Sequence, residues 1–371
     1  MPRGRRNVQP ETLREILENY TVPNLRALAQ VLAKGIPTRK AELVALIVQH
    51  LEDTGRLRQF WETLDKVQQA AVSEVVHSAS DVFDAAGFRA KYRRDPDWGT
   101  RQWSNIKDAT PLCLLIHNNR MPRDLKERLR AFVPPPRAAQ VKTVDAPAPT
   151  MQQSYYDYET QKKVTVDVPL AVQETERAAQ HDLQAVLRLV DAGKVSVSAK
   201  TRRVSAAGAR AITEVLQGGD FYDSEEVLDS WGTETIGPLK AFAWPLIVQA
   251  AGLAEPAGTK LQLTAAGKRA LTAPPHTIIQ RAWKRWLKAT LLDEFNRVHT
   301  IKGQTGKGQR QMTAVAGRRA AIVTALAACP PYQWIAFDEF SRFMRATGCT
   351  FEVSRDLWTL YISDANYGSL G

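Results

Sequence analysis

The sequence predicts a mainly α-helical protein with small β-hairpins, built as a string of compact modules. Three observations carry that expectation. Apolar residues recur at three- and four-residue spacing along most of the chain, as they do in helices that bury one face. Period-two alternation is confined to short pieces such as Lys260-Leu-Gln-Leu-Thr264. And 371 residues, 44% of them apolar, suffice for roughly two to four separate cores.

Residues 11 to 52 read as a helical unit. Leu13, Ile16 and Leu17 mark a first helix, Leu25, Leu28, Ala29 and Leu32 a second, and Leu43, Leu46, Ile47 and Leu51 a third with Thr38 placed as its N-cap. A second helical unit runs from Trp61 to Phe132. In it Phe83 and Phe88 flank Asp84 at the N′ and N4 positions, the spacing of a hydrophobic staple, and Pro122 opens a helix with Leu125, Leu129 and Phe132 on one face. PPPRAAQVKTVDAPAPT, Pro134 to Thr150, has no periodicity and reads as an extended linker. From Ser154 to Val168 the pattern fits either a strand pair or an ordered arm.

The stretch from His181 to Leu271 is the most ordered in its signals. DLQAVLRLVDAG places Leu183, Val186, Leu187 and Val190 at helical spacing, with Gly193 as a stop. Val195-Ser-Val197 is strand-like, and Ser205 stands as the N-cap of a second helix closed by Gly218-Gly219. An insertion is expected between Gly218 and Gly237. A third helix, Leu239 to Ala251, ends at Gly252, and Leu253 to Thr264 reads as a hairpin about a Pro-Ala-Gly turn. Helix, strand, helix, helix, hairpin is the order of a winged helix-turn-helix. After Pro275 a helix carrying AWKRWLKATLLDEF, a Gly- and Gln-rich loop, a helix from Arg318 to Ala328, the strand-like Trp334-Ile-Ala and a helix from Asp338 to Ala346 suggest the start of a second copy. No third helix or wing follows, so the sequence is expected to be a fragment with an incomplete last domain. The expected boundaries are 1–57, 58–133, a linker and arm over 134–170, a winged helix over 171–274, and a second winged-helix-like piece over 275–371.

Charge points to the partner. A formal net charge of +11 and a pI near 9.6 favour an anionic ligand, most often nucleic acid, over the plainer reading of a merely soluble basic protein. Cys113, Cys329 and Cys349 are too scattered for a disulfide framework or a zinc site, and the histidines form no ligand cluster, so no cofactor is expected. MPRGRR leads into a polar helix instead of an apolar signal region, and no apolar run reaches the roughly 20 residues of a membrane span, which suggests a cytoplasmic, bacterial-type protein with possible nucleoid association. Gly303-x-x-Gly306-Lys307 lacks the spacing and the following Ser or Thr of a phosphate loop. No catalytic constellation is present in these residues.

Candidate nucleic-acid contacts fall in four places. Arg39 and Lys40 add charge to a helix N-terminus whose N–H groups already favour phosphate. Lys200, Arg202 and Arg203 lie in a stretch, Lys194 to Arg210, that contains no acid. Between Arg281 and Arg319 there are ten Lys or Arg against two acids, including Lys284 and Arg285 beside Trp283 and Trp286, and the loop cations Lys302, Lys307 and Arg310. The indoles could stack on bases, although Trp283, Trp286 and Leu287 also have the spacing of a core face. The expected third helix, LKAFAWPLIVQAAG, offers only Lys240 and Gln249 to a DNA groove, whereas base reading needs a polar face.

Two resemblances add to this reading. TVPNLRALAQVLAKGIPTRKAELVALIVQHL (residues 21–51) resembles a SAP-type DNA-binding motif, with Arg39 where that family usually has glycine. Thr175 to Ile212, Ala241 to Glu255 and Trp286 to Thr305, together with Trp61 to Ser78 and Phe88 to Pro96, resemble bacterial helicase-associated proteins related to the N-terminal region of XPB-type DNA repair helicases. The resemblance implies a DNA-binding or damage-sensing accessory region beside a helicase core; with the residue reading, the expectation is a SAP-like head followed by tandem winged helix-turn-helix-type domains that bind duplex or single-stranded DNA electrostatically and without sequence preference, with a helicase or nuclease subunit in repair or genome defence. It implies no motor within these residues. Two rival readings are a protein-docking scaffold built of winged helices and the N-terminal fragment of a larger helicase.

Overall fold

The computed structural model describes residues 12–102, 105–170, 172–221, 238–297, 301–303, 312–356, 360–364 and 368–369. About half of the chain is helical (49%) and strands are few (14%), so helix packing builds the cores. The chain divides into two compact units: residues 1–145 with 328–349, and residues 146–327 with 350–371.

The first unit begins with six helices: α1 (Leu13–Glu18), α2 (Val22–Leu32), α3 (Lys40–Glu52), α4 (Thr54–Thr63), α5 (Lys66–His77) and α6 (Ala85–Tyr92). A hairpin of β1 (Thr100–Gln102) and β2 (Asn105–Asp108) and helix α7 (Arg123–Arg130) follow. Local chemistry sets the helix starts. Thr12 and Glu15 form a capping box on α1, as Asp65 and Gln68 do on α5, so orphan N–H groups at the starts of these two helices are satisfied. Asp84 caps α6 through the Gly87 N–H, and the Phe83 and Phe88 rings lie 5.3 Å apart, the staple their spacing predicts. Helix α3 starts at Lys40 with Arg39 at the N-cap, one residue beyond the start implied by Thr38.

The leucines expected to face inward do so: Leu13, Leu17, Leu25, Leu28, Leu43 and Leu51 join one core with Leu57, Leu112, Leu125 and Leu129. Buried hydrogen bonds stitch the first helices to later ones, since the Asn24 carboxamide oxygen accepts from the Ile106 N–H at 2.8 Å and Asp124 accepts from the Leu13 N–H at 3.0 Å. The proline-rich segment after Val133 is extended, as its composition requires, and it is tied down. Pro134 O accepts from Ser73 Oγ, Gln140 O from Arg342, and Val144 exchanges both backbone bonds with Trp334 at 2.9 Å.

The second unit opens with a hairpin of β3 (Thr150–Asp157) and β4 (Lys162–Pro169), paired through all eight positions from Thr150↔Pro169 to Asp157↔Lys162. Then come α8 (Thr175–Asp191), α9 (Ala206–Thr213), α10 (Lys240–Ala250), the hairpin β5 (Ala254–Ala257)–β6 (Lys260–Leu263), α11 (Ala265–Ala270), α12 (Pro275–Trp286), β7 (Ile301–Gly303) and α13 (Val315–Ala327). Helix α14 (Phe337–Ala346) belongs to the first unit, and in the second β8 (Leu360–Asp364) pairs with β7 on one side and β9 (Gly368–Ser369) on the other.

In this unit Leu183, Val186, Leu187 and Val190 of α8 pack with Ile212, Val248, Leu261, Ile278 and Ala282 in one core. Ser205 caps α9, accepting from the Gly208 N–H at 3.1 Å. Gly193 (φ +65°) and Gly252 (φ +67°) take the left-handed conformation at the ends of α8 and α10, where side chains with a Cβ are strained. The long helix expected over AWKRWLKATLLDEF stops at Trp286, and its inward residues are Ile278 and Ala282; Trp283 is 45% exposed, which overturns the Trp283–Trp286–Leu287 core face. The acids Asp293 and Glu294 are the partners of the buried Arg318 and Arg319, at 2.7 and 2.8 Å, so those two cations of the basic stretch are neutralised inside the unit.

Candidate nucleic-acid interface

Four described cations of the second unit, Lys200, Arg202, Arg203 and Lys260, stand on a small sheet. Segment 195–197 is its middle. On one side Ser205 N–H donates to Ser196 O and Ser198 N–H to Arg203 O, both at 2.9 Å; on the other Val197 N–H donates to Thr259 O at 2.8 Å and Leu261 N–H to Val195 O at 3.0 Å. Because β6 runs antiparallel to segment 195–197, the turn 199–203 and the β5–β6 turn lie at the same end of the sheet. Lys200, Arg202 and Arg203 are all exposed on that turn, and Lys260 is exposed at the start of β6 beside it. Lys260 is a neighbour of these cations that charge counting missed; strand register is the signal that places it.

Two tethers hold the turn in shape. Arg202 has φ +58° and its N–H donates to Ser198 O at 2.7 Å, closing the turn. Its carbonyl accepts from Gln249 Nε2 at 3.1 Å, and the Arg203 guanidinium lies 5.7 Å from the Phe242 ring centroid, so both sides of the turn rest on α10.

Helix α10 presents no polar face to solvent. None of residues 240–250 is exposed; Lys240 is tied to Gln217 O at 3.2 Å and lies 3.8 Å from buried Asp182, and Gln249 is spent on Arg202 O and Pro245 O. The helix start is held by Asp220, whose carboxylate accepts from the N–H groups of Leu239, Lys240 and Ala241 at 2.7–3.0 Å. A groove-reading role for this helix would require it to expose polar side chains, and it exposes none.

Helix α12 carries a second set of cations and packs against the C-terminal end of α10. Arg281 Nε donates to Ala251 O at 3.4 Å, and the Arg285 guanidinium passes so close to Gly252 that a Cβ there would stand 2.8 Å from Nη1. Gln249 holds the basic turn, while Ala251 and Gly252 meet α12, so the turn and α12 both pack on the last turn of α10. Lys284 is exposed on α12 next to half-exposed Trp283.

The other expected contacts are elsewhere. Arg39 and Lys40 stand at the start of α3 in the first unit, where Arg39 faces Glu42 at 3.8 Å and Lys40 Nζ donates to Glu18 O at 2.7 Å. Lys302 belongs to β7, paired with Tyr361 of β8, and Lys307 and Arg310 lie outside the described residues. Among the described residues there is no His/Cys/Asp/Glu cluster able to hold a metal ion, and no helix is long and apolar enough to cross a membrane. No protein-family model, curated protein or solved structure matches the chain.

Proposed function

We propose that residues 175–286 form a winged-helix module that binds DNA, duplex or single-stranded, through backbone phosphates and without sequence preference, in an accessory role beside a helicase or nuclease. The order helix, strand, helix, helix, hairpin supports the winged-helix reading. One observation carries the mode of binding: the third helix exposes no polar side chain, while Lys200, Arg202, Arg203 and Lys260 stand exposed on the sheet beside it and Lys284 and Arg285 on α12. Cations so arranged neutralise phosphates and release counterions, but carry no donor and acceptor pattern that selects a base pair.

The test is fluorescence anisotropy with unrelated duplex and single-stranded oligonucleotides over a salt series. Affinity should fall steeply with salt and differ little between sequences. Reversing Lys200, Arg202 and Arg203 to Glu should lower affinity at least about tenfold at low salt and reduce the slope of log K against log salt by about 2 to 3. Unchanged affinity in that variant sinks the reading.

A second reading, a protein-docking scaffold, is favoured by the β3–β4 hairpin. One of its faces pairs Met151 with Val168, Gln153 with Val166 and Tyr155 with Val164, and Met151, Tyr155 and Val166 are exposed. A two-stranded hairpin is marginal alone in water, and Asp157, Glu159 and Asp167 against Lys162 and Lys163 make it a poor phosphate surface. Deleting residues 150–169 should leave DNA affinity within about twofold on the primary reading, because the exposed cations stay in place. A loss as large as that of the triple reversal would transfer the binding surface to the hairpin.

A further inference from the structure

The first unit holds a recess of about 360 Å³ between α5, the residues after α6 and the proline segment 134–137. Trp61, Val67, Ala70, Tyr92 and the three prolines form its apolar wall, and Lys66, Arg94 and Arg137 are its charged side chains. No carboxylate lines it. The acids nearby are committed: Glu74 to Lys91 at 2.6 Å and the Tyr92 hydroxyl at 2.8 Å, Asp95 to Arg89 at 2.8 Å, and Asp65 to the N–H groups of Val67 and Gln68 at 2.7 and 2.9 Å. Among the described residues none of the three cations pairs with a carboxylate.

The recess is also built, not merely charged. Arg137 lies 4.7 Å above the Tyr92 ring and hydrogen-bonds its hydroxyl, and Phe88 stacks on Tyr92 at 4.4 Å, so the guanidinium is oriented by packing and keeps its remaining N–H groups for a ligand. Ser73 Oγ donates to Pro134 O at 2.5 Å, which fixes the proline wall. A concave surface with three cations, two of them planar forks, and low-dielectric walls concentrates positive potential on an incoming anion. Its volume exceeds that of a lone ion and reaches the lower range of small-molecule sites.

We propose that this recess binds a phosphoryl group attached to an organic moiety, the phosphates engaging Lys66, Arg94 and Arg137 and the carbon portion lying on the proline wall. The same chemistry is offered by a free nucleoside diphosphate and by a nucleic-acid strand. The site is separate from the turn at 199–203 and does not depend on the DNA reading.

Titration calorimetry on the full chain with ADP, inorganic pyrophosphate and a short single-stranded oligonucleotide tests it, comparing the unaltered protein with Arg94→Gln and Arg94→Gln/Arg137→Gln. ADP or pyrophosphate should bind, at least about tenfold more weakly in the double variant. Arg94 is exposed and carries no ion pair, so Arg94→Gln alone should keep the thermal melt unchanged while weakening binding severalfold. Displacement of bound ADP by the oligonucleotide identifies a strand as the occupant; ADP binding that the oligonucleotide leaves intact identifies a free nucleotide. Absence of binding by all three probes, or equal binding by the double variant, overturns the proposal.

Discussion

His117 is enclosed in the first unit, only 3% exposed, with Nδ1 accepting the Tyr20 hydroxyl at 3.2 Å and Nε2–H donating to Leu114 O at 3.1 Å. Both nitrogens are satisfied by a neutral ring. Burial pushes the imidazole down to about 4; the Leu114 bond opposes the shift and the positive charge of Arg101 adds to it. Above the ordinary value of 6.5 the folded and unfolded chains are both neutral at this position. As pH falls from 6.5 to 4 the unfolded chain gains a proton that the folded chain refuses, so stability is lost across that window, by up to about 3 kcal/mol. Urea melts should show the loss, and His117→Gln should flatten it between pH 6.5 and 4.5. Gln249 gives a second test at this scale. Gln249→Leu removes its bonds to Arg202 O and Pro245 O but no charge, so DNA affinity should fall a few-fold with the salt slope unchanged. A change in slope would mean that Gln249 does more than position the turn.

Helix α14 shows what an element owes to distant sequence. Its residues follow α13 in the chain, yet Phe343 is buried in the first unit and its polar side is locked there by Glu339 and Arg342. Glu339 accepts from Arg342 at 2.6 and 2.9 Å, from Arg93 at 2.9 Å and from the Lys142 N–H at 2.8 Å, while Arg342 also donates to Ala90 O and Gln140 O. The Arg342 bonds above all, with Lys142 N–H and the charge of Arg93, hold its carboxyl down to about 2 against the cost of burial. Its contribution is therefore complete above about 4.5, the ordinary value, and is lost as pH falls toward 2. Glu339→Gln should raise amide exchange in α14 near neutral pH and abolish the low-pH part of that release; protection equal to the unaltered protein would show that the cluster does not hold the helix. The helix itself was legible as Asp338 to Ala346, but its docking face was not, because nothing within the segment names its partner.

Across the whole molecule the same division recurs. The hairpin at 253–264, the Ser205 and Asp84 caps, the stops at Gly193 and Gly252 and the inward leucines were legible because each depends on residues a few positions apart. The enclosure of α10 was visible in its composition. Which cations are available was not. Arg318 and Arg319 counted as part of a basic surface, and burial beside Asp293 and Glu294 withdraws them; Lys260 went unnoticed, and strand register brings it beside Lys200 to Arg203. By itself the sequence determined the mainly helical class, most element positions and the excess of positive charge, since periodicity, capping and composition are local or additive properties. Only the tertiary structure decided that 328–349 belongs with the first unit, that the turn at 199–203 and α12 both pack on the C-terminal end of α10, and that Lys66, Arg94 and Arg137 share one recess. Those outcomes depend on pairings between residues far apart in the chain, whose ordering cost is met only when complementary surfaces close on each other.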